Sequence, residues 1–254
     1  MSYGRPKGQD SISAIVPMLL ATAGMSLLAI AWRRRAAPRT VVSRRARPVS
    51  PDAVPTPAAA NDSDLQTVHA GTGSVFHRRY AIELPGTPHR AADAMRLMEQ
   101  HFAELAPSML AQFEKTTGAG QSIRVGDEYE ISMLGPWNGR VRAVEVSDTA
   151  FTLATLDGHP EAGHITFSVT GDRESITPLR IEIESWARAR STLVATAYDT
   201  LGIGKQVQTE AWITFLQRLA ALAGVRGTPE VHITDEIAPV RDETELTRAK
   251  STDA

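Results

Sequence analysis

The chain of 254 residues contains no cysteine, and only 6% of its residues are aromatic. The absence of cysteine excludes a disulfide scaffold, thiol catalysis and zinc–thiolate sites. The sequence also lacks a nucleophile elbow, a phosphate-binding glycine loop and a dinucleotide-binding fingerprint. Hydrophobic residues nevertheless make up 42% of the chain, which is enough to bury a core and excludes disorder throughout.

The formal net charge of −2 hides a strong asymmetry along the chain. Residues 1–50 contain nine Lys and Arg but a single acid, which is a net charge of +8. The other 204 residues carry a net charge of −10. Contacts to nucleic-acid phosphates need clustered Lys and Arg, so an acidic folded part is not typical of nucleic-acid-binding proteins. We therefore expect no nucleic-acid partner.

One long segment near the N-terminus has no charged residue. Residues 11–32 would form about 33 Å of helix, enough to cross a hydrocarbon core of about 30 Å. Seven arginines follow between positions 33 and 47, and few basic residues precede the segment. These features favour an uncleaved transmembrane helix over a cleaved signal peptide. The positive-inside rule then predicts a single-pass inner-membrane protein with a cytoplasmic C-terminal part, and residues 11–47 would contact membrane lipids.

The remaining boundaries follow from composition. Residues 1–10 are a short N-terminal segment, and residues 33–74 are first basic and then rich in proline and alanine, as in an extended linker. Residues 75–224 carry the periodic sequence of a single domain. Residues 225–254 are acidic with few large apolar side chains, and we expect a disordered tail there.

Within 75–224 the hydrophobic period predicts an α+β domain. A strand over 76–84 precedes a helix after Thr87, and Met109, Leu110 and Phe113 indicate a shorter second helix. The period then changes to two, which predicts an antiparallel meander. The last part, roughly 191–223, has the spacing of one long amphipathic helix. The meander strands are expected near 128–133, 140–146, 151–156, 163–169 and 179–188.

Four strings then resemble a known family: GPWNGRVRAVEV (135–146), FTLATLDGHPEAGHITF (151–167), IEIESWARA (181–189) and KQVQTEAW (205–212). They are similar to a bacterial branch, catalogued as a domain of unknown function, of the START-like helix-grip (SRPBCC) superfamily. The resemblance implies a helix-grip fold, in which a curved antiparallel sheet wraps around the long C-terminal helix. It also implies a hydrophobic cavity that binds small molecules, in a superfamily that includes some cyclases, dehydratases and lipid carriers.

Two polar residues share the apolar stripe of the long helix. Lys205 and Gln208 lie on the same helical face as Trp212, so they point toward the interior or the mouth of the sheet. A buried lysine is costly unless it is paired, and would indicate an anionic or carbonyl-bearing ligand. The alternative is that Lys205 lies near the open end and reaches water with its amine.

The loop around His159 and Glu161 is the second candidate. The pair could serve in acid–base catalysis or bind a metal ion. However, Pro160 and Gly163 are typical of a hairpin connection, and no further ligand lies at a metal-site spacing. A loop over a cavity and a structural turn remain open, and we expect neither a metal site nor a cofactor.

Small side chains on one strand predict free volume. Alternation turns Ser185 and Ala187 inward, beside Tyr129 and Met133, and turns Trp186 outward. The same small residues could instead make room for large helix side chains such as Trp212.

The candidate ligand-binding residues are Tyr129, Met133, His159, Glu161, Ser185, Lys205, Gln208 and Trp212. The sequence favours a membrane-anchored domain that binds a small hydrophobic or amphipathic ligand without evident catalysis. Two alternatives stay open. One is a cyclase, dehydratase or hydrolase using polar groups in the cavity, and the other is a membrane-tethered protein-interaction module.

Overall fold

Alternating apolar residues build a single large sheet in the part of the chain that the structure describes. The computed structural model describes residues 40–44, 54–57, 62–85, 90–133, 138–171, 178–192 and 203–238. Three α-helices are present there: α1 (Ala91–Gln100), α2 (Phe102–Leu105) and α3 (Ile203–Leu222). The strands are β1 (Thr40–Arg44), β2 (Thr72–Leu84), β3 (Ala111–Thr117), β4 (Glu128–Met133), β5 (Gly139–Val146), β6 (Ala150–Thr155), β7 (Glu161–Thr170), β8 (Leu179–Ala189) and β9 (Val231–Ala238).

The strand order is β1-β9-β2-β8-β7-β6-β5-β4-β3. Strands β3 to β8 follow one another in sequence and in space, and each pairs antiparallel with the next. This arrangement confirms the predicted antiparallel meander and the α+β class. Strands β2 and β9 extend the antiparallel sheet, while β1 pairs parallel with β9. Register shifts in the β2–β8, β3–β4 and β5–β6 pairs mark irregularities that locally increase strand twist.

The core lies between the inner face of the sheet and the helices. Ile181 and Ile183 of β8 are fully buried, while Glu182 between them is only partly buried, as a period of two requires. Phe215 and Leu219 of α3 pack into the same core and are also fully buried. An aromatic cluster surrounds Phe102, whose ring lies 5.1 to 5.7 Å from the rings of Phe113, Tyr129, Phe151, Phe167 and Phe215.

The prediction of a second helix over 109–113 is wrong. Helix α2 ends at Leu105, and the chain from Ala111 forms the edge strand β3 instead. Phe113 is buried opposite Ile131 of β4, while Gln112 and Glu114 on either side of it are exposed. Pairing with β4 therefore decides the conformation of this short apolar run, which by itself is compatible with helix or strand.

Part of the expected linker over 33–74 packs onto the domain. Residues 40–44 form β1, and Leu65 forms a bridge with Leu156 at the end of β6. Leu65 is buried together with Val144 and Ala154, which belong to the outer face of the sheet. This outer face is apolar enough to bind a covering segment, so residues 62–70 lie against it instead of extending into solvent.

Part of the expected acidic tail over 225–254 is a strand. Val231 and Ile233 of β9 are buried, and β9 pairs with β2, which would otherwise end the sheet. An unpaired edge leaves backbone N–H and C=O groups without partners, and β9 satisfies those of β2. The tail beyond 238 and the predicted transmembrane helix over 11–32 lie outside the described residues. Among the helices that the structure does describe, none is both long enough and apolar enough to cross a bilayer.

Candidate functional site

A cavity of about 70 Å³ lies between α3 and the inner face of the sheet. Its walls come from β3 to β8, the β6–β7 loop and α3. The lining residues are Phe113, Ile131, Val141, Leu153, Thr155, His159, Glu161, His164, Ile165, Phe167, Ser185, Ala187, Gln208 and Trp212. The cavity is therefore mainly apolar, with a few polar groups contributed by β6, β7, β8, the loop and α3.

The position of this cavity follows from small residues in the sheet. Ser185 and Ala187 occupy inward positions of β8 and line the cavity. Further along the same face of the strand, the larger side chains of Ile181 and Ile183 fill the corresponding space. Gly163 pairs with Ala187 across β7 and β8 and brings the two strands close together. A Cβ atom on Gly163 would lie 2.0 Å from the carbonyl oxygen of Trp186, so no larger residue fits there.

The size of the cavity limits what it holds without side-chain movement. A water molecule occupies about 30 Å³ in the liquid, and drug-sized ligands use pockets of about 300–1,000 Å³. At about 70 Å³ the cavity accommodates a group of a few heavy atoms. The rest of the space between sheet and helix is filled by the aromatic cluster around Phe102.

Hydrogen bonds link three polar side chains at the edge of the cavity. Arg78 of β2 is buried, with 6% of its surface exposed, and its guanidinium donates to Oε1 of Gln208. The amide Nε2 of Gln208 donates in turn to Oε2 of Glu161 over 3.4 Å. Asp235 of β9 lies opposite Arg78 in the strand register, and its Oδ1 is buried without a hydrogen-bond partner among the described residues. The carboxamide of Gln208 thus links the guanidinium of Arg78 to the carboxylate of Glu161.

Trp212 adds an unpaired donor to the cavity wall. Its indole is 7% exposed, and within the described ranges its Nε1 has no hydrogen-bond acceptor. A buried N–H without an acceptor costs about 1–3 kcal/mol. The ring itself packs against Phe113, Phe167 and Phe215.

The loop before β7 holds His159 in a neutral state. Burial lowers the pKa of His159, and the nearby Glu161 opposes this shift only in part. Its Nδ1 lies 3.0 Å from both the backbone nitrogen and the backbone oxygen of Glu161, so it pairs with the main chain. The carboxylate of Glu161 pairs with Gln208 instead. The two side chains therefore do not form the acid–base pair that the sequence left open.

The covering segment fixes the same loop from outside. Gln66 is buried, and its side-chain amide donates to the carbonyl oxygens of His159 and Glu161, each over 2.8 Å. The hydroxyl of Thr155 donates to the carbonyl oxygen of Gln66 over 2.8 Å. A residue from the expected linker thus sets the shape of one cavity wall.

The structure brings five of the eight predicted ligand-binding residues together at this cavity: His159, Glu161, Ser185, Gln208 and Trp212. Tyr129 lies instead in the aromatic cluster beside Phe102, with Lys115 5.5 Å from its ring. Burial raises the pKa of the Tyr129 hydroxyl. The side chains of Met133 and Lys205 lie outside the described part, although their backbones belong to β4 and α3.

Two site residues were missed at the sequence level. Arg78 holds an inward position of β2, two residues from the buried Tyr80, and this alternation would have identified it as a charged residue facing the interior. Asp235 is not identifiable in this way, because the acidic composition of residues 225–254 predicts a disordered tail. Within the described ranges, no three His, Asp or Glu side chains converge in a way that could hold a metal ion.

Trp186 lies on the outer face of the sheet, as the alternation predicts. It is nevertheless buried, because Val54, Val68 and Val75 cover it and leave 7% of its surface exposed. Residues from before β2 therefore make two contacts: Val54 and Val68 cover Trp186 on the outer face, and Gln66 supports the loop of His159.

Several solved structures are similar to this chain. An X-ray structure of norcoclaurine synthase from Thalictrum flavum, in complex with dopamine and hydroxybenzaldehyde, has 11% identity and a TM-score of 0.41, covering 64% of this chain and 92% of that one. The Zhui aromatase/cyclase from Streptomyces sp. R1128 has 10% identity and a TM-score of 0.44, covering 59% and 94%. Protein CV1439 from Chromobacterium violaceum has 16% identity and a TM-score of 0.37, covering 58% and 96%.

No curated protein matches the chain. Residues 67–221 match the family model described as "Domain of unknown function (DUF1990)". This range contains strands β2 to β8 and most of α3, together with every residue that lines the cavity. Because the match extends over more than half of its residues, the chain belongs to the DUF1990 family.

Proposed function

We propose that this chain is a START-like (SRPBCC) binding protein that holds a small hydrophobic or amphipathic molecule between its sheet and α3. One observation carries the proposal. One cavity with apolar walls and a polar edge is lined by residues of β7, β8 and α3, each of which the sequence identified from its own element. Concave, mostly apolar sites with a few polar groups are the usual form of small-molecule sites.

Binding without catalysis agrees best with the polar groups. The catalytic alternative requires Glu161, His159 and Tyr129 to converge on one reacting atom. His159 is engaged with the main chain, and Tyr129 packs in the aromatic cluster. A ligand larger than a few atoms would need Gln208 or Trp212 to change rotamer, since these α3 side chains form one wall of the cavity.

The predicted transmembrane helix over 11–32 would hold this cavity next to a bilayer, where apolar molecules concentrate. We place the domain on the cytoplasmic side, because the arginines between 33 and 47 follow the segment. Fusions of a reporter to the C-terminus test this topology. Activity of a reporter that works only in the cytoplasm is expected, and activity of a reporter that works only outside it would contradict the orientation.

The binding function is tested on the full chain purified from its host in mild detergent. Native mass spectrometry is expected to detect a small co-purifying molecule in the wild type. Ala187→Leu fills the cavity and is expected to abolish that mass addition, because Ala187 lines the wall. Ala103→Leu makes the same change at an exposed position of α2 and is expected to retain it. An unchanged mass addition in Ala187→Leu would contradict the proposed site.

A further inference from the structure

We propose that Glu161 is the polar recognition group of the cavity, and that it selects ligands whose polar end donates hydrogen bonds, an alcohol or a protonated amine, over carboxylates. This inference rests on the proposed binding function and adds the chemical class of the ligand. It is carried by the hydrogen bonds that the polar wall residues already make and by the charges near the cavity.

Three polar side chains in the wall are already engaged by hydrogen bonds within the protein. The hydroxyl of Thr155 accepts from the backbone N–H of Gly163 over 3.0 Å and donates to the carbonyl oxygen of Gln66. The Nδ1 of His159 pairs with the backbone of Glu161. The carboxamide of Gln208 is used at both ends, since its oxygen accepts from Arg78 and its nitrogen donates to Glu161.

Glu161 differs from these three side chains, and among the described residues of the wall it is the acidic one. Among the described residues its carboxylate has one hydrogen-bond partner, the amide nitrogen of Gln208, at a long distance of 3.4 Å. An ionised carboxylate has about four acceptor sites on two oxygens. Glu161 is half-buried in the cavity wall, so bulk water satisfies its remaining sites only in part. A ligand group that donates hydrogen bonds would complete them.

The charges around the cavity favour the same class of ligand. His159 and His164 also line it, and burial lowers the pKa of each, which leaves both neutral near pH 7. The positive charge of Arg78 is shared between two carboxylates, Glu161 and Asp235, because Asp235 lies opposite Arg78 in the register of β2 and β9. It therefore does not neutralise Glu161 completely. A carboxylate ligand beside Glu161 would place like charges together, which opposes binding.

The apolar walls accommodate the rest of such a ligand. Phe113, Phe167 and Trp212 present aromatic surface next to Glu161 within one cavity of about 70 Å³. Aromatic faces attract ammonium groups as well as alkyl chains, so they are compatible with either donor. The volume limits the enclosed part of the ligand to its polar end and the first few carbon atoms.

The test uses three probes with one alkyl body: 1-butanol, n-butylammonium and butyrate. They are titrated into the full chain in detergent, with 15N-labelled tryptophan, and the indole N–H resonance of Trp212 is followed by NMR. This resonance is assigned by its loss in Trp212→Phe, and it reports on the cavity without interference from probe dissolved in micelles. We expect butanol and butylammonium to bind at least about tenfold more tightly than butyrate, a difference of about 1.4 kcal/mol.

Variants of Glu161 separate charge from packing. Glu161→Gln keeps the size of the side chain and is expected to remove the preference. The affinity for butyrate should rise and the affinity for butylammonium should fall, each by about tenfold. Glu161→Asp keeps the charge and is expected to keep the order of affinities. Glu83→Gln removes an exposed carboxylate from β2 and is expected to change nothing, and unfolding midpoints verify that each variant is folded.

The outcomes are distinct. A preference that persists in Glu161→Gln, or equal affinities in the wild type, would overturn the role of Glu161 while leaving the binding function in place. Tighter binding of butyrate that is lost in Lys205→Met would assign recognition to Lys205 and also overturn the inference. Failure of all three probes to shift the Trp212 resonance would contradict the inference together with the proposed binding function.

Discussion

His77 stacks on the indole of Trp186, with ring centroids 3.6 Å apart and ring planes 9° from parallel. The imidazole is 6% exposed, and its two nitrogens lie 2.6 Å from Glu184 and 2.9 Å from Glu236. Each nitrogen of the ring therefore lies within hydrogen-bond distance of one carboxylate oxygen. This arrangement ties β2, β8 and β9 together on the outer face of the sheet, opposite the cavity.

The contact between His77 and Glu184 predicts a loss of stability in acid. The hydrogen bond from His77 is the main cause that lowers the pKa of Glu184 below its ordinary value of 4.5. A carboxyl with a depressed folded pKa contributes stability above its unfolded pKa, and this contribution is lost as the pH falls through the folded value. Glu184→Gln is expected to be about 1 kcal/mol less stable than wild type at pH 7, after allowance for solvent screening.

Urea unfolding of both proteins from pH 7 to pH 3 measures this effect. The difference in unfolding free energy is expected to shrink once the pH drops below about 4.5, because the wild type then loses the same contribution. Glu230→Gln, at an exposed position before β9, is the matched control and should follow the wild type at every pH. A constant difference between Glu184→Gln and wild type over the whole range would contradict the prediction.

A second prediction concerns the close approach of His159 to Gly139. A Cβ atom at Gly139 would lie 2.1 Å from Cδ2 of the imidazole, which is far inside contact distance. Gly139→Ala is therefore expected to displace His159 and to lower the free energy of unfolding by about 1–3 kcal/mol. Chemical denaturation of wild type, Gly139→Ala, His159→Ala and the double variant measures this effect.

The double variant distinguishes this clash from a general intolerance of alanine in β5. With the imidazole removed, Gly139→Ala should cost less than it does in the wild type, which is a measurable coupling between the two positions. Additive effects of the two substitutions would show that the imidazole is not the source of the cost.

A third prediction concerns Gln66. Gln66→Leu keeps the approximate size of the side chain but leaves the carbonyl oxygens of His159 and Glu161 without their donor. The expected loss is about 2 kcal/mol of unfolding free energy, because buried carbonyl groups would lack a partner. Amide hydrogen exchange in the β6–β7 loop is expected to accelerate in parallel. Gln112→Leu, at an exposed position of β3, is the control, and equal destabilisation by both changes would refute the role of Gln66.

A fourth prediction tests the last strand. Ile233→Ala in β9 is expected to lower the free energy of unfolding by about 2–5 kcal/mol, because Ile233 is 1% exposed within the core. His232→Ala changes the exposed neighbour on the same strand and should alter stability by no more than about 0.5 kcal/mol. If both substitutions were neutral, β9 would contribute nothing to the core.

Local patterns predicted most of the sheet but not its outer strands. The strands from β4 to β8 carry clear period-two alternation and short turns, so their existence and their faces were predictable. The short apolar run at Phe113 was ambiguous, and pairing with Ile131 made it a strand. In β9, acidic residues follow Val231 and Ile233 and weaken the alternation signal, so composition favoured a disordered tail.

The sequence likewise predicted some residues of the candidate site but not the contacts between them. Ser185, Gln208 and Trp212 were identified because each lies on a face that its own element defines. The link from Arg78 through Gln208 to Glu161 was not predictable, since it joins three segments that are far apart in the chain. Tyr129 has the correct alternation but belongs to the aromatic cluster, because Phe102 of α2 packs against it there.

The sequence by itself determined the meander and the inward position of Ser185 on β8, because alternation and turns are properties of neighbouring residues. The complete absence of cysteine likewise excluded thiol chemistry without any structure. Only the tertiary structure decided that Gln66 supports the loop of His159 and that β9 brings Asp235 beside Arg78. These contacts depend on surfaces formed by distant segments, and no local pattern in the sequence records which surface a segment will cover.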